Sequence, residues 1–409
     1  MTAFADAAAD AAVASAAGPA DAADPDAAFP SVAAAAAPAG EWRAAVGGVE
    51  VVFGRGALAG LGELVRELGG RRALVVSDPG VRAAGHVDRA LAALGAAGVA
   101  AEVFDEVAEN PTTRQVEAGR EAAAPWGPDL LIAVGGGSAM DCAKGINFLL
   151  TNGGRMEDYR GFGRAARPLL PAIGVPATAG TGSEAQSHAL ISWPETHEKM
   201  ACGDRQARFR TVVLDPALLA SAPRRVAAAA GLDAIAHAVE SLVCRRANPV
   251  SRMLSRAAWQ LLEPNLLRHL GVPDAPDAAA AMLLGAHLAG AAIEASMLGA
   301  AHACANPLTA RYGVAHGAAV ALMLPVVVRW NGAVASYAEL APYGSGEQLA
   351  ARLEELRGAA CLPARLRDVG VEAAALGEMA REAAGQWTAG FNPRPAGERE
   401  LLRLYELAL

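Results

Sequence analysis

The chain changes character near residue 215. Before that point, short runs rich in Val, Leu and Ile alternate with helical stretches; beyond it every segment repeats at the helical period. The strand candidates are VEVVFG (49–54), RALVVSD (72–78), VAAEVFD (99–105), DLLIAVGGGS (129–138) and LLPAIGVPAT (169–178). Between them HVDRALAALGAAG (86–98), TTRQVEAGREAAAPWG (112–127) and AMDCAKGINFLLTNG (139–153) read as helices. Strands alternating with helices of about 10–15 residues imply a parallel sheet covered on both faces. The expectation is a Rossmann-like α/β domain over residues 43–220 and an all-helical domain over 221–409, joined near 215–222.

Composition removes several function classes. The formal net charge is -8 and no basic run occurs, so nucleic acid and anionic membrane surfaces are poor partners. Hydrophobic residues make up 53% but aromatics only 5%, so the core must be Ala, Leu and Val. The long apolar stretches are Ala-rich and too weakly hydrophobic to suggest a membrane span. Five scattered cysteines form no C-x-x-C pair, which points to a reducing, cytoplasmic setting. Residues 1–42 are mostly Ala, Asp, Gly and Pro with no basic residue; they read as a disordered acidic tail or as residues ahead of the true start.

Two loops carry the first chemistry. LIAVGGGSAMDCAK runs from an apolar strand through Gly135, Gly136 and Gly137 into a helix. Glycine lets the backbone approach a ligand, and a helix N-terminus offers free N–H groups to a phosphate; Ser138 can cap or donate. The plain alternative is a tight βα turn. The order is not that of a G-x-G-x-x-G fingerprint, because the acid at a strand end, Asp78, precedes the glycines. An acid there favours a ribose 2′-OH over a 2′-phosphate, hence NAD over NADP, unless it is only a turn residue before Pro79. VPATAGTGSE (175–184) is a second such loop.

GLDAIAHAVE places Asp233 and His237 at i and i+4, one turn apart on one helix face. Such a pair in isolation is commonly incidental. His302 and His316 lie in HACANPLTARYGVAHG, and with them the four residues make an Asp-plus-three-His set suited to Zn²⁺ or Fe²⁺. His287 reads as a core histidine, and His86, His188, His197 and His269 as surface or loop residues.

With GGGSAMDCAK, PATAGTGSE, LDP (214–216), GLDAIAHAVE, the two histidines, MLPVVVRWN (323–331) and NPRP (392–395) in this order, the chain from about residue 43 resembles the iron-containing (group III) alcohol dehydrogenases. These are relatives of glycerol dehydrogenase and dehydroquinate synthase. The resemblance implies a dinucleotide across the α/β domain, its pyrophosphate on Gly136, Gly137 and Ser138 and its adenosine ribose at Asp78. Asp141, Thr178 and Thr181 would line the nucleotide site, and Lys199 would reach the nicotinamide ribose. Asp233, His237, His302 and His316 would hold one divalent metal, iron or zinc. Hydride would pass between NAD(H) and an alcohol or aldehyde in a cytoplasmic homo-oligomer. Two positions depart from the family pattern. Asn306 stands where a second histidine, near the nicotinamide, is usual and cannot relay a proton; Ala177 replaces the first Thr of PTTAGTGSE.

Three other readings compete. The arginines of KMACGDRQARFR (199–210), with Lys199, would suit an anionic aldehyde such as phosphonoacetaldehyde if they faced the cleft; otherwise they form a solvated basic face. A lyase or cyclase like dehydroquinate synthase would use NAD catalytically. A non-enzymatic binding protein would have a decayed site.

Overall fold

The computed structural model describes residues 41–196, 198–332, 334–340 and 344–409. The tail expected over residues 1–42 lies outside them as far as residue 40; Trp42 already belongs to a strand.

Among the described residues ten strands precede residue 215: β1 (Trp42–Val46), β2 (Val49–Phe53), β3 (Arg72–Val76), β4 (Ala100–Phe104), β5 (Leu130–Gly135), β6 (Gly161–Phe162), β7 (Ala172–Pro176), β8 (His188–Ser192), β9 (Lys199–Gly203) and β10 (Thr211–Leu214). Among them lie α1 (Leu61–Glu67), α2 (Pro79–Ala83), α3 (His86–Ala96), α4 (Thr113–Ala123) and α5 (Gly137–Asn152). The main sheet has the order β1-β2-β10-β7-β5-β3-β4, parallel except for the β1–β2 hairpin. β3 and β5 are buried almost throughout, as a sheet covered on both faces requires. One face packs on α1 and α3 through Leu61, Leu64, Val87 and Leu94. The other packs on α5 through Met140 and Ile146, and that core runs without a break into the helical half. β6, β9 and β8 form a separate small sheet, which the sequence reading did not anticipate.

All later elements are helical: α6 (Arg224–Val243), α7 (Pro249–Leu262), α8 (Leu266–Gly271), α9 (Pro276–Ala295), α10 (Ala300–Tyr312), α11 (His316–Asn331), α12 (Gly346–Ala359), α13 (Leu376–Ala384) and α14 (Glu398–Ala408), with short 3₁₀ turns between some of them. α6 and α9 are long and apolar enough to cross a membrane, yet each is 83% buried inside the protein. Their apolar length serves the core. The LDP motif is structural as well: buried Asp215 accepts from the backbone N–H groups of Gly56, Leu58 and Ala217.

Connections reverse direction between β3 and β5. From β3 the chain moves outward to β4; from β5 it continues to β7 and β10 on the other side. Such a switch point opens a crevice beyond the carboxyl ends of the strands. Asp78 follows β3 and the glycines follow β5, so both stand at that crevice.

The second loop joins the two halves. Gly182 has φ +60, and a Cβ there would stand 2.5 Å from the Cα of Gly290 in α9; one on Gly290 would stand 2.3 Å from the Gly182 carbonyl oxygen. A Cβ on Gly180 would stand 2.8 Å from the Cβ and 3.0 Å from the Cα of Ala230 in α6. The loop expected to line a nucleotide is thus seated, backbone to backbone, on α6, the helix of Asp233 and His237, and on its neighbour α9.

Three histidines expected at the surface or in loops lie within helices or a strand. His86 begins α3 with its Nε2 2.6 Å from Ser221 Oγ, and only 4% of it is exposed. His269 is buried between Leu266 and Leu270 on the inner side of α8. His188 lies within β8 and lines the inner cavity described below. His86 and His269 are buried, and His188 faces a cavity, so local polarity misjudged them. His197 lies outside the described residues. His287 is a core residue as expected, with its Nδ1 3.2 Å from Glu184 Oε1.

Candidate metal centre and nucleotide cleft

α6, α10 and α11 bring the four expected ligands together. Asp233 and His237 share the buried face of α6, one turn apart. Asp233 Oδ1 lies 3.5 Å from His237 Nε2, 3.4 Å from His302 Nε2 and 4.0 Å from His316 Nε2. The donor atoms of Asp233, His237 and His302 all fall within 4.8 Å of one another. His316 opens α11 and turns its Nε2 toward Asp233 from the cavity side.

The polar bookkeeping asks for a cation. Asp233 Oδ1 and His302 Nε2 are buried and have no hydrogen-bond partner among the described residues. Each unsatisfied group costs about 1–3 kcal/mol if nothing fills the space between them. A carboxylate oxygen and imidazole nitrogens converging on one buried point are a donor set for a divalent transition metal, so the residues fit one.

Electrostatics agree at three of the four positions. Burial works against ionising Asp233, but His237, His302 and His316 hold its carboxyl well below the usual range. Burial pushes His316 well below the ordinary imidazole value, and nearby Lys199 adds to this. His237 is also lowered, chiefly by burial. Neutral imidazoles are the ligating form. For His302, burial also lowers the value, but the neighbouring carboxylates of Asp233 and Glu240 outweigh it and raise the group, so a cation bound here displaces its proton.

Glu240 was not singled out from the sequence. Its Oε2 lies 2.6 Å from His302 Nδ1, and its carboxylate also accepts from the N–H groups of Gly299 and Ala301 at the start of α10. This orients the ring and presents Nε2 to the centre, the arrangement in which a ligand's outer nitrogen is held by a carboxylate. Asn392, of NPRP, accepts from Ala300 N and donates to Asn331 and to the Arg394 carbonyl, which pins the same helix start. The Glu240 signal was present: it follows Asp233 by seven residues, two turns along one face. Glu240→Ala should weaken metal binding by about 10–100-fold, measured by competition with a chromophoric chelator.

An inner cavity of about 200 Å³ adjoins the centre and is lined by Asp233, His237, His302, His316, Gly137, Ser138, Asp141, Thr181, Lys199, Asn306 and Trp387, among others. Beyond Glu109, Asn110, Lys199 and Asn306 it meets an outer cleft of about 1000 Å³. Gly137 has no room for a side chain, since a Cβ would stand 2.6 Å from Thr181 Oγ1; a Cβ on Gly136 would stand 3.3 Å from Thr178 Oγ1. The two loops therefore meet face to face at the N-terminus of α5. Asp78 caps α2 by accepting from Val81 N and lies against Gly135. The turn role and the place at the crevice hold together.

Asn306 Nδ2 donates to Gln386 Oε1 at 2.8 Å. Trp387 and Thr388, from the turn after α13, also line the inner cavity, and sequence reasoning missed all three. It also missed Asn110, held at φ 54 before Pro111 with its N–H on Ser138 Oγ. Of the basic segment, only Lys199 lines the cavities. Arg208 turns away to the Gly47 carbonyl and Glu294, and Arg205 and Arg210 are exposed.

The sequence profile of the iron-containing alcohol dehydrogenases matches residues 49–216, and that of the Fe-containing alcohol dehydrogenase family C-terminal region matches residues 227–409. The chain belongs to the iron-containing alcohol dehydrogenase family. It is 34% identical to the 1,3-propanediol dehydrogenase of Klebsiella pneumoniae over 87% of this chain and 96% of that protein. It is 28% identical to the NAD-dependent methanol dehydrogenase of Bacillus methanolicus over 88% and 97%. The crystal structure of a 1,3-propanediol oxidoreductase superposes with a TM-score of 0.85, at 33% identity over 88% of this chain and 97% of that one. This family member is accordingly an oxidoreductase acting between alcohols and aldehydes, with the α/β and helical halves of its relatives.

Proposed function

We propose that this iron-containing alcohol dehydrogenase interconverts a small, uncharged alcohol and its aldehyde with NAD(H), at a single divalent metal held by Asp233, His237, His302 and His316. The observation that carries the reading is the junction of the two sites. One inner cavity of about 200 Å³ touches the four ligands and the phosphate-type loop at Gly137 and Ser138. A dinucleotide laid along that loop would end beside the metal ligands. When bound, the cation would supply Lewis acidity toward the reacting oxygen, and the nicotinamide would carry the hydride.

The protein's own residues do the rest. The N-terminus of α5 and the backbone at Gly136 and Gly137 receive the pyrophosphate, with Ser138 beside them. Thr178 and Thr181 wall the nucleotide from the other loop. Asp141 and Lys199 face the nicotinamide end, and Asp78 the adenosine ribose. Ile293, Leu298 and Trp387 give the inner cavity an apolar side that keeps water from the reacting carbon. The two named relatives act on 1,3-propanediol and methanol, both uncharged, and no arginine lines the inner cavity. That favours an uncharged substrate over a phosphonate aldehyde.

The test is an aldehyde panel with NADH and NADPH on metal-stripped protein and on protein reloaded with Fe²⁺ or Zn²⁺. Steady NADH consumption that depends on metal is expected; no turnover with either metal would sink the reading. Asp78 should make NADH the preferred cofactor. Asp78→Gly should narrow the kcat/KM ratio between NADH and NADPH by about tenfold, since it removes an acceptor for the 2′-OH and a repulsion toward the 2′-phosphate.

Asn306 cannot titrate, so the reaction proton leaves by water or ribose hydroxyls. In Asn306→His the pH profile of kcat should gain a new ionisation between about pH 6 and 8. An unchanged profile would show that this position carries no proton.

A further inference from the structure

Lys144 lies outside the metal centre, yet it is built into the floor of the nucleotide cleft. It is 2% exposed. Its Nζ donates to the Ser183 carbonyl at 2.8 Å, to Ser183 Oγ at 2.9 Å and to the His188 carbonyl at 2.7 Å. Three acceptors around one nitrogen call for three N–H donors, so the group is an ammonium. Ser183 Oγ, accepting from Lys144, has its own proton left to give, and Asp141 Oδ1 stands 2.5 Å away. The ammonium is also 3.8 Å from that oxygen. Burial raises the Asp141 carboxyl and lowers the Lys144 ammonium from their ordinary values, and each charge opposes the effect on the other.

The chain Lys144–Ser183–Asp141 therefore engages one carboxylate oxygen, and the Leu190 backbone adds to the hold on the carboxylate. The Asp141 side chain is still 13% exposed, and what it faces is the inner cavity beside Lys199 and Asp233. A fixed carboxylate in such a cavity accepts; it needs a ligand N–H or O–H. Phosphates cannot supply one and would be repelled. Near the metal ligands, the part of a dinucleotide that carries N–H donors is the nicotinamide carboxamide.

We infer that Lys144 is a positioning residue: through Ser183 it presents the Asp141 carboxylate as the acceptor for the carboxamide N–H, and so sets which face of the ring meets the substrate. The inference rests on the nicotinamide function proposed above. Ser183 is the relay, and its neighbours Gly182 and Glu184 hold it against α9.

The test uses NAD⁺ and its 3-acetylpyridine analogue, which has a methyl ketone in place of the carboxamide and no N–H to give. Dissociation constants for both are measured by calorimetry on metal-loaded protein. Wild type should favour NAD⁺ by about tenfold, the value of a hydrogen bond to a charged acceptor. Lys144→Met and Ser183→Ala should bring that ratio close to one, mainly by weakening NAD⁺, while Ser183→Thr should keep it. Should Lys144→Met fail to fold, the two Ser183 variants carry the comparison. Equal loss of both nucleotides in the variants, with the ratio kept, would overturn the inference and leave Lys144 a structural residue. Wild type binding both nucleotides equally well would overturn it alone. Wild type binding neither would overturn it together with the function it rests on.

Discussion

Replacing His302 by alanine should empty the metal centre and lower kcat/KM for every alcohol and aldehyde by at least about 10³-fold, because the several kcal/mol supplied by the cation go with it. Metal content by plasma mass spectrometry and steady-state kinetics on the same preparation check both halves. His302 is the sharpest position for this test because its Nε2 has no hydrogen-bond partner among the described residues and its Nδ1 is held by Glu240. His287→Ala is the matched control. That imidazole is as deeply buried, but it contacts Glu184 and lies outside the ligand cluster. It should lose stability and keep its metal. Full metal content in His302→Ala would remove the residue from the centre.

Gly182→Ala should damage stability and nucleotide binding at once. Its φ of +60 is strained for alanine, and the new Cβ would lie 2.5 Å from the Gly290 Cα, a backbone atom that no rotamer change can move. Left-handed strain and overpacking together amount to about 2–5 kcal/mol. The expected result is a clearly lower Tm, with NADH affinity reduced because Thr181 and Ser183 move with the loop. Calorimetry and fluorescence titration check this. A variant with wild-type Tm would mean that the loop can lift off α9 without cost.

Both effects concern features read very differently from the sequence. Asp233 and His237 were legible because helix geometry alone puts i and i+4 on one face. His302 and His316 are separated from them by more than 60 residues, and no local rule joins them; only the ordered set of motifs did. Glu240 ends the GLDAIAHAVE motif, where a glutamate on a helix is ordinarily a solvated one. Its value appears only when α10 lies across it.

The fold shows the same division. β3, β5 and β7 announced themselves as continuous apolar runs bounded by Gly or Pro. β8 and β9 did not: HALIS and KMACG are short, mixed in polarity, and exist because they pair with each other and, through β9, with β6. Reading 199–210 as one basic stretch hid that Lys199 starts a strand at the cleft while Arg208 is drawn back to Glu294. Side-chain direction in such a segment is decided by pairing partners far away in sequence.

The ligands are not equally sheltered. Asp233, His237 and His302 expose 3–5% of their side chains, whereas His316 exposes 23%. In the proposed centre three donors form a pre-set socket and the fourth stands in its doorway, on the side of the inner cavity proposed for alcohol and nucleotide. Traffic of the ion and traffic of substrate must therefore share one passage. An enzyme busy with saturating substrate should shed its cation more slowly than one at rest, and storage life would be governed by how often that doorway stands empty.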